Sequence, residues 1–156
     1  MELNIGITQE NRNKIVEALG IILANETLLF QKTKTFHWNV TGPQFISYHK
    51  LFDEQAEKIE DVIDEVAERI RSLGSFTNGL HSFVLKTAEI KEESKLHIPA
   101  LEMIKQLTSD HETIIRSLRE KIEIASESGD EGTADFLTGI MELHEKEAWF
   151  LRAHLE

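Results

Sequence analysis

Apolar residues recur along this chain at the three- and four-residue spacing of helix faces, in four long blocks. The first block follows Thr8, which suits an N-cap with Glu10 in the first turn, although Asn11 in place of Glu or Gln leaves the capping box incomplete. Residues 1–8 read as a short arm before it. Its stripe of Ile15, Val16, Leu19, Ile22, Leu23, Leu29, Phe30 and Phe36 predicts a helix to about Trp38, and Glu26 and His37 fall on the same stripe. Gly42 and Pro43 cannot continue a helix, so His37 closes the first helix and His49 stands at the start of the second.

The second block places Leu51, Phe52, Ile59, Val62, Ile63, Val66, Ile70 and Leu73 in one broad wedge, and Gly74 stops it. Residues 74–98 form a long connection with a short amphipathic piece around Leu80 to Ala88, and Lys91-Glu92-Glu93-Ser94-Lys95 reads as a solvated linker. Pro99 opens the third helix, with the stripe Leu101, Ile104, Leu107, Ile114, Ile115, Leu118 and Ile122, which ends at Ser128-Gly129. The fourth carries Leu137, Ile140, Met141, His144, Ala148 and Leu151 on one face, with Trp149 and Phe150 turned elsewhere. Asp130, Glu131 and Asp135 surround its start, where acidic residues suit the helix dipole. The pattern therefore predicts an all-α protein: a four-helix bundle with a short extra helix in the connection between the second and third helices, a connection long enough to cross the bundle.

Length agrees with that reading, since 156 residues make one domain, 1–156, and no second one. Composition then narrows the chemistry. With no cysteine, neither a disulfide framework nor a thiolate site is possible, so any metal must be held by imidazole and carboxylate, a mixture that fits iron or manganese and also zinc. A net charge of −11 disfavours nucleic acid binding by the body of the protein and favours cations. No apolar run reaches membrane-spanning length, and MELNIGITQEN lacks an export signal, so the chain is read as cytoplasmic.

The acidic residues concentrate on the second helix, which carries eight of them. With His49 as origin, Asp53, Glu57, Asp64 and Glu68 fall roughly 40°, 80°, 60° and 100° away, beside the apolar wedge and outside it. Such a face is either a solvated surface with Lys50, Lys58 and Arg69 as partners three and four residues away, or a cation site. Because the carboxylate face points away from the helix's own core, a metal site built on it has to lie at an interface. A second copy of the chain could complete it.

The run HWNVTGPQF, His49, Phe52-Asp53-Glu54, Asp64-Glu65-Val66-Ala67-Glu68-Arg69-Ile70 and the terminal HEKEAWFLRAHL closely resemble the Dps family of ferritin-like mini-ferritins. The resemblance covers nearly the whole chain. It implies a hollow dodecameric homo-oligomer with ferroxidase centres at its two-fold interfaces, where His37, His49 and Asp53 of one subunit face Asp64 and Glu68 of its mate as catalytic and metal-binding residues. Iron, cycling between Fe(II) and Fe(III), is the implied metal, with hydrogen peroxide or dioxygen as oxidant and a ferric mineral stored inside. Lys34 and Trp38 would stand behind the ligands, and acidic residues near the start of the fourth helix would line three-fold pores.

Other readings are weaker. An intra-bundle di-iron site needs paired Glu-x-x-His motifs and a zinc hydrolase His-Glu-x-x-His, and both are absent. Neighbours in a helix point in different directions, so Asp110, His111 and Glu112 cannot chelate one ion; His111 and His144 read as core residues. DNA compaction, the activity that names the family, would need a basic tail on an acidic body. Residues 1–11 contain no Lys or Arg, and Leu151-Arg152-Ala153-His154-Leu155-Glu156 adds no basic extension, so direct DNA binding is not expected. The blandest alternative is a helical assembly whose acidic face holds calcium or magnesium without catalysis.

Overall fold

A computed structural model describes residues 3–156; Met1 and Glu2 of the expected arm lie outside the described residues. Five helices follow in order: α1 Gln9–Asn39, α2 Phe45–Ser72, α3 His81–Thr87, α4 Ala100–Glu127 and α5 Glu131–Arg152. The four long ones are the four expected from the apolar blocks, and α3 is the short piece in the crossing connection. No strand occurs among the described residues.

Local chemistry sets the ends. Thr8 caps α1, its hydroxyl accepting the Asn11 N–H at 3.2 Å. Gly74 ends α2 at φ +90°, a conformation other residues adopt at a cost, and the Ser75 N–H reaches back to the Ile70 carbonyl at 3.3 Å. A side chain at Gly74 would also meet Leu3 at 3.1 Å, so the glycine lets the arm lie close. Pro99 is the N-cap of α4 and not a residue of its first turn, one position earlier than expected. Asp130 caps α5 by accepting the Thr133 N–H at 2.9 Å.

Packing joins α1 to α2 and α4 to α5, and the two pairs meet chiefly through α1 and α4, while α3 lies against α1. Phe36, Phe52, Ile15, Leu19, Ile22, Leu29, Ile59, Ile104, Leu107 and Ile114 are sealed in the middle. Each such side chain contributes about 1.5–3 kcal/mol by leaving water. One residue departs from the expected stripes: Leu101 is 50% exposed, and Met103 is fully buried in its place. On a helical wheel Leu101 falls roughly 60° outside the arc defined by Met103, Ile104, Leu107, Ile114 and Leu118.

Between α2 and α5 the apolar contact is thin, and polar clamps tie them. Gln55 donates to the Glu147 carbonyl at 3.3 Å, Lys58 pairs with the buried Glu147 carboxylate at 2.6 Å, and Arg69 donates to Asp130 at 2.8 Å and to Thr133 Oγ1 at 2.8 Å. Burial alone would raise the Asp130 pKa, but the hydrogen bonds from Thr133 and the Arg69 guanidinium outweigh it and hold the carboxyl below its usual range. These clamps fix the rotation of α2 about its own axis, and with it the direction of the acidic face.

Candidate metal centre

The last turn of α1 crosses the first turns of α2, and the crossing is made by two histidines. Nδ1–H of His37 donates to the His49 carbonyl at 2.7 Å, and Nδ1–H of His49 donates to the His37 carbonyl at 2.9 Å. The His37 carbonyl lies in the final turn of its helix, where helical partners run out, so the bond also satisfies an orphan acceptor. The rings stack with centroids 3.8 Å apart and planes 20° from parallel, and Phe45 covers His49 at 5.0 Å.

This reciprocal pair decides the tautomers. A carbonyl can only accept, so each Nδ1 carries the hydrogen and each neutral ring keeps its Nε2 lone pair. Fixing a ligand imidazole through the hydrogen bond of its other nitrogen is how metal sites orient histidine. His37 Nε2 stands 3.7 Å from Asp53 Oδ1, too far for a hydrogen bond, so that lone pair is unengaged. Asp53 itself holds the Lys34 ammonium at 2.7 Å. That hydrogen bond outweighs the opposing effect of burial and keeps the Asp53 pKa below its usual value and the carboxylate ionised.

His37, His49 and Asp53 thus lie close together at the α1–α2 crossing, while Asp64 and Glu68 lie apart from them. Both are exposed on the same helix, 11 and 15 residues beyond Asp53, which is about 16 and 22 Å along the axis. Among the described residues no three His, Asp or Glu side chains of one chain converge on a metal-sized site. The carboxylates of Glu57, Asp64 and Glu68 have no ion pair among the described residues, because the cations expected to neutralise them, Lys58 and Arg69, turn across to α5. The solvated-surface reading loses two of its three partners by that turn, and the third, Lys50, is exposed on the same helix.

Asp110 pairs with Lys32 at 2.7 Å, Glu112 pairs with Arg152 at 2.8 Å, and His111 is buried between helices, so the three neighbours do point apart. His144 is a core residue, and it supplies the partner of Glu26 that the stripe alone left unnamed, at 2.9 Å. Trp38 and Trp149 are exposed. The reciprocal carbonyl bonds of the histidine pair were not anticipated; a histidine in the last turn before a Gly-Pro break, followed twelve residues later by a second, is the signal that points to them.

A bundle of four long helices with a crossing connection and a histidine–carboxylate face defines a ferritin-like protein, and residues 16–156 match the family described as the ferritin-like domain. The chain is similar to an uncharacterised low temperature-induced protein of Nostoc, 44% identical over 155 residues, covering 99% of this chain and 87% of that one. It is 37% identical over 142 residues to DNA protection during starvation protein 2 of Bacillus anthracis, covering 91% of this chain and 97% of the relative. Among solved structures, the Dps protein of Vibrio cholerae, described as a member of a broad superfamily of ferritin-like diiron-carboxylate proteins, superposes with a TM-score of 0.93 at 32% identity, covering 100% of this chain and 98% of that one. The chain belongs to the Dps family of ferritin-like proteins. No helix among the described residues is long and apolar enough to cross a membrane.

Proposed function

We propose that this protein oxidises Fe(II) at centres shared across a two-fold interface and stores the ferric product inside a hollow, dodecameric shell. The observation that carries this reading is the histidine pair, whose Nδ1 atoms are both committed to carbonyls, which leaves the Nε2 atoms as the ligand positions, that of His37 3.7 Å from an ionised Asp53. His37, His49 and Asp53 hold one side of the site, and Asp64 and Glu68 of the partner subunit hold the other. A two-fold axis brings one end of α2 against the other end of its copy, so residues 16 to 22 Å apart in one chain become neighbours in the pair.

Iron is the substrate. Three carboxylates and two neutral imidazoles favour Fe(III) over Fe(II), because the anionic ligands stabilise the higher charge more. Lys34, which holds Asp53 at 2.7 Å, is displaced or shared as ferrous iron binds. Hydrogen peroxide then accepts one electron from each of two ferrous ions, its O–O bond breaks, and two protons complete two waters. Pairwise use of the oxidant limits release of hydroxyl radical. The test is anaerobic loading with Fe(II), then a peroxide pulse read by ferric absorbance. Rapid oxidation at about one peroxide per two ferrous ions supports the reading; binding of Fe(II) without accelerated oxidation returns the acidic face to a structural role.

Relatives named for DNA protection raise the question of DNA. Arg12, the first basic residue, is 7% exposed and donates to the Ile7 carbonyl at 2.7 Å, so it serves the arm and not a phosphate. In a gel-shift without added metal, no complex with duplex DNA is expected at net charge −11; a salt-sensitive complex there would contradict this.

A further inference from the structure

Away from the histidine pair, three other titratable side chains meet inside the bundle. Glu26 of α1, His111 of α4 and His144 of α5 are each 0% exposed. His144 Nε2 lies 2.9 Å from Glu26 Oε1, and His144 Nδ1 lies 2.8 Å from His111 Nδ1. The two ends of this hydrogen-bonded series, Glu26 Oε2 and His111 Nε2, have no hydrogen-bond partner among the described residues. Apolar residues would pack here without any condition on protons, whereas this chain imposes one. Between the two Nδ1 atoms there is room for a single hydrogen: one ring donates and the other accepts. When both rings are cationic, each Nδ1 carries a hydrogen and the contact becomes repulsive in a site without water to screen it.

We propose that the His111–His144 contact is an acid-sensitive latch, and that a second proton on this pair opens the packing of α4 against α5 and α1. The surrounding charges do not offset that proton. From α1, besides Glu26, Lys32 is already tied to Asp110. From α5, Glu147 lies one turn past His144 and is neutralised by Lys58 of α2, whose neighbour Gln55 binds the Glu147 carbonyl. On α4 itself, Glu112 turns outward to Arg152. Glu26 is engaged at the far nitrogen of His144, and His111 Nε2 has no hydrogen-bond partner among the described residues, so no carboxylate stands against His111.

Burial first, and the neighbouring His144 second, push the His111 pKa well below its ordinary value. An unfolded chain binds that proton more readily than the folded one. The stability this group supplies is therefore complete above the ordinary histidine pKa of about 6.5 and is lost progressively as the pH falls below it. Asp130, held by Thr133 and Arg69, titrates below its usual range while burial raises Asp110, so the latch is isolated by comparing the wild type with a His111 variant across the window from about pH 6.5 to 5.

The experiment follows opening of the assembled protein by near-ultraviolet circular dichroism after jumps from pH 7.5 into that window at constant ionic strength. For the wild type the opening rate is expected to rise up to about tenfold per pH unit, as one added proton dictates. His111→Asn keeps a hydrogen bond to His144 and cannot titrate, and its rate should stay flat until the carboxylates protonate. Equal slopes in both proteins, or a flat wild type, would overturn the proposal. Hydrogen exchange on the wild type gives a reading that needs no variant. Protection corrected for intrinsic rates is expected to fall first in α4 and α5 as the pH drops, and a uniform loss across all helices, or none, would refute the latch.

Discussion

If the proposed ferroxidase site is right, replacing His37 with alanine is expected to lower peroxide-driven Fe(II) oxidation by about 100-fold or more, at the upper end of what disturbing a metal site's supporting contacts costs, because the proposal makes His37 itself a ligand. The folded shell should survive. The side chain sits at the end of α1, 8% exposed, and gives up one hydrogen bond to the His49 carbonyl. Such a loss is worth about 1 kcal/mol, a fraction of a domain's stability. Asp64→Asn and Glu68→Gln make the sharper comparison. Both residues are exposed, and neither makes an ion pair within the described chain, so nothing inside one subunit predicts a catalytic defect. A site shared between subunits predicts a loss as deep as that of His37→Ala. Stopped-flow ferric absorbance, with sedimentation velocity to confirm assembly, measures both.

The largest effect on stability is expected at Phe52. Its ring is fully buried, 6.4 Å from Phe36 across the α1–α2 seam and 6.3 Å from Tyr48. Phe52→Ala should cost about 3–5 kcal/mol, by lost transfer energy and the cavity left behind, while Phe52→Leu should cost about 1.5 kcal/mol or less if the seam repacks. Phe52 precedes Asp53 and follows His49 by one turn, so a loosened seam also blurs the geometry of the histidine pair. Urea midpoints at one fixed subunit concentration check the values, since assembly shifts apparent stability by mass action. Wild-type-like midpoints for Phe52→Ala would mean that this seam is not the structural support of the site.

What the sequence discloses divides along a physical line. Features governed by neighbours in the chain are legible: the Thr8 cap, the Gly42-Pro43 break that sets His37 and His49 at a helix crossing, and the stop at Gly74. The apolar stripes locate the core because burial follows helical period, and Leu101 misses it because it falls outside the buried arc in the first turn of its helix. Partners chosen across the fold are not legible. Lys58 and Arg69 are spaced to neutralise their own helix, yet they reach to Glu147 and Asp130 on α5, 89 and 61 residues away. Glu26 finds His144 at a separation of 118 residues, with nothing local to announce it. Asp64 and Glu68 mark a third limit, since within one chain they are exposed and make no ion pair among the described residues, so a role on another subunit, as proposed, has no sign in their own. Their outward position on the wheel suggested an interface; their assignment to iron is part of the proposal.

The shared site is tested most directly by mixing defective chains. One variant carries His37→Ala with Asp53→Ala, the other Asp64→Ala with Glu68→Ala, and the two are unfolded together and co-assembled in equal amounts. In a two-fold pair of unlike chains, one centre receives both defects and the other receives none. Random pairing makes half of all pairs unlike, so about a quarter of the wild-type centres should be restored, although each variant alone is inactive. Recovery near that fraction is the result predicted here. If the mixture stays as inactive as its parts, with assembly verified, each centre is built within a single chain and the account is wrong.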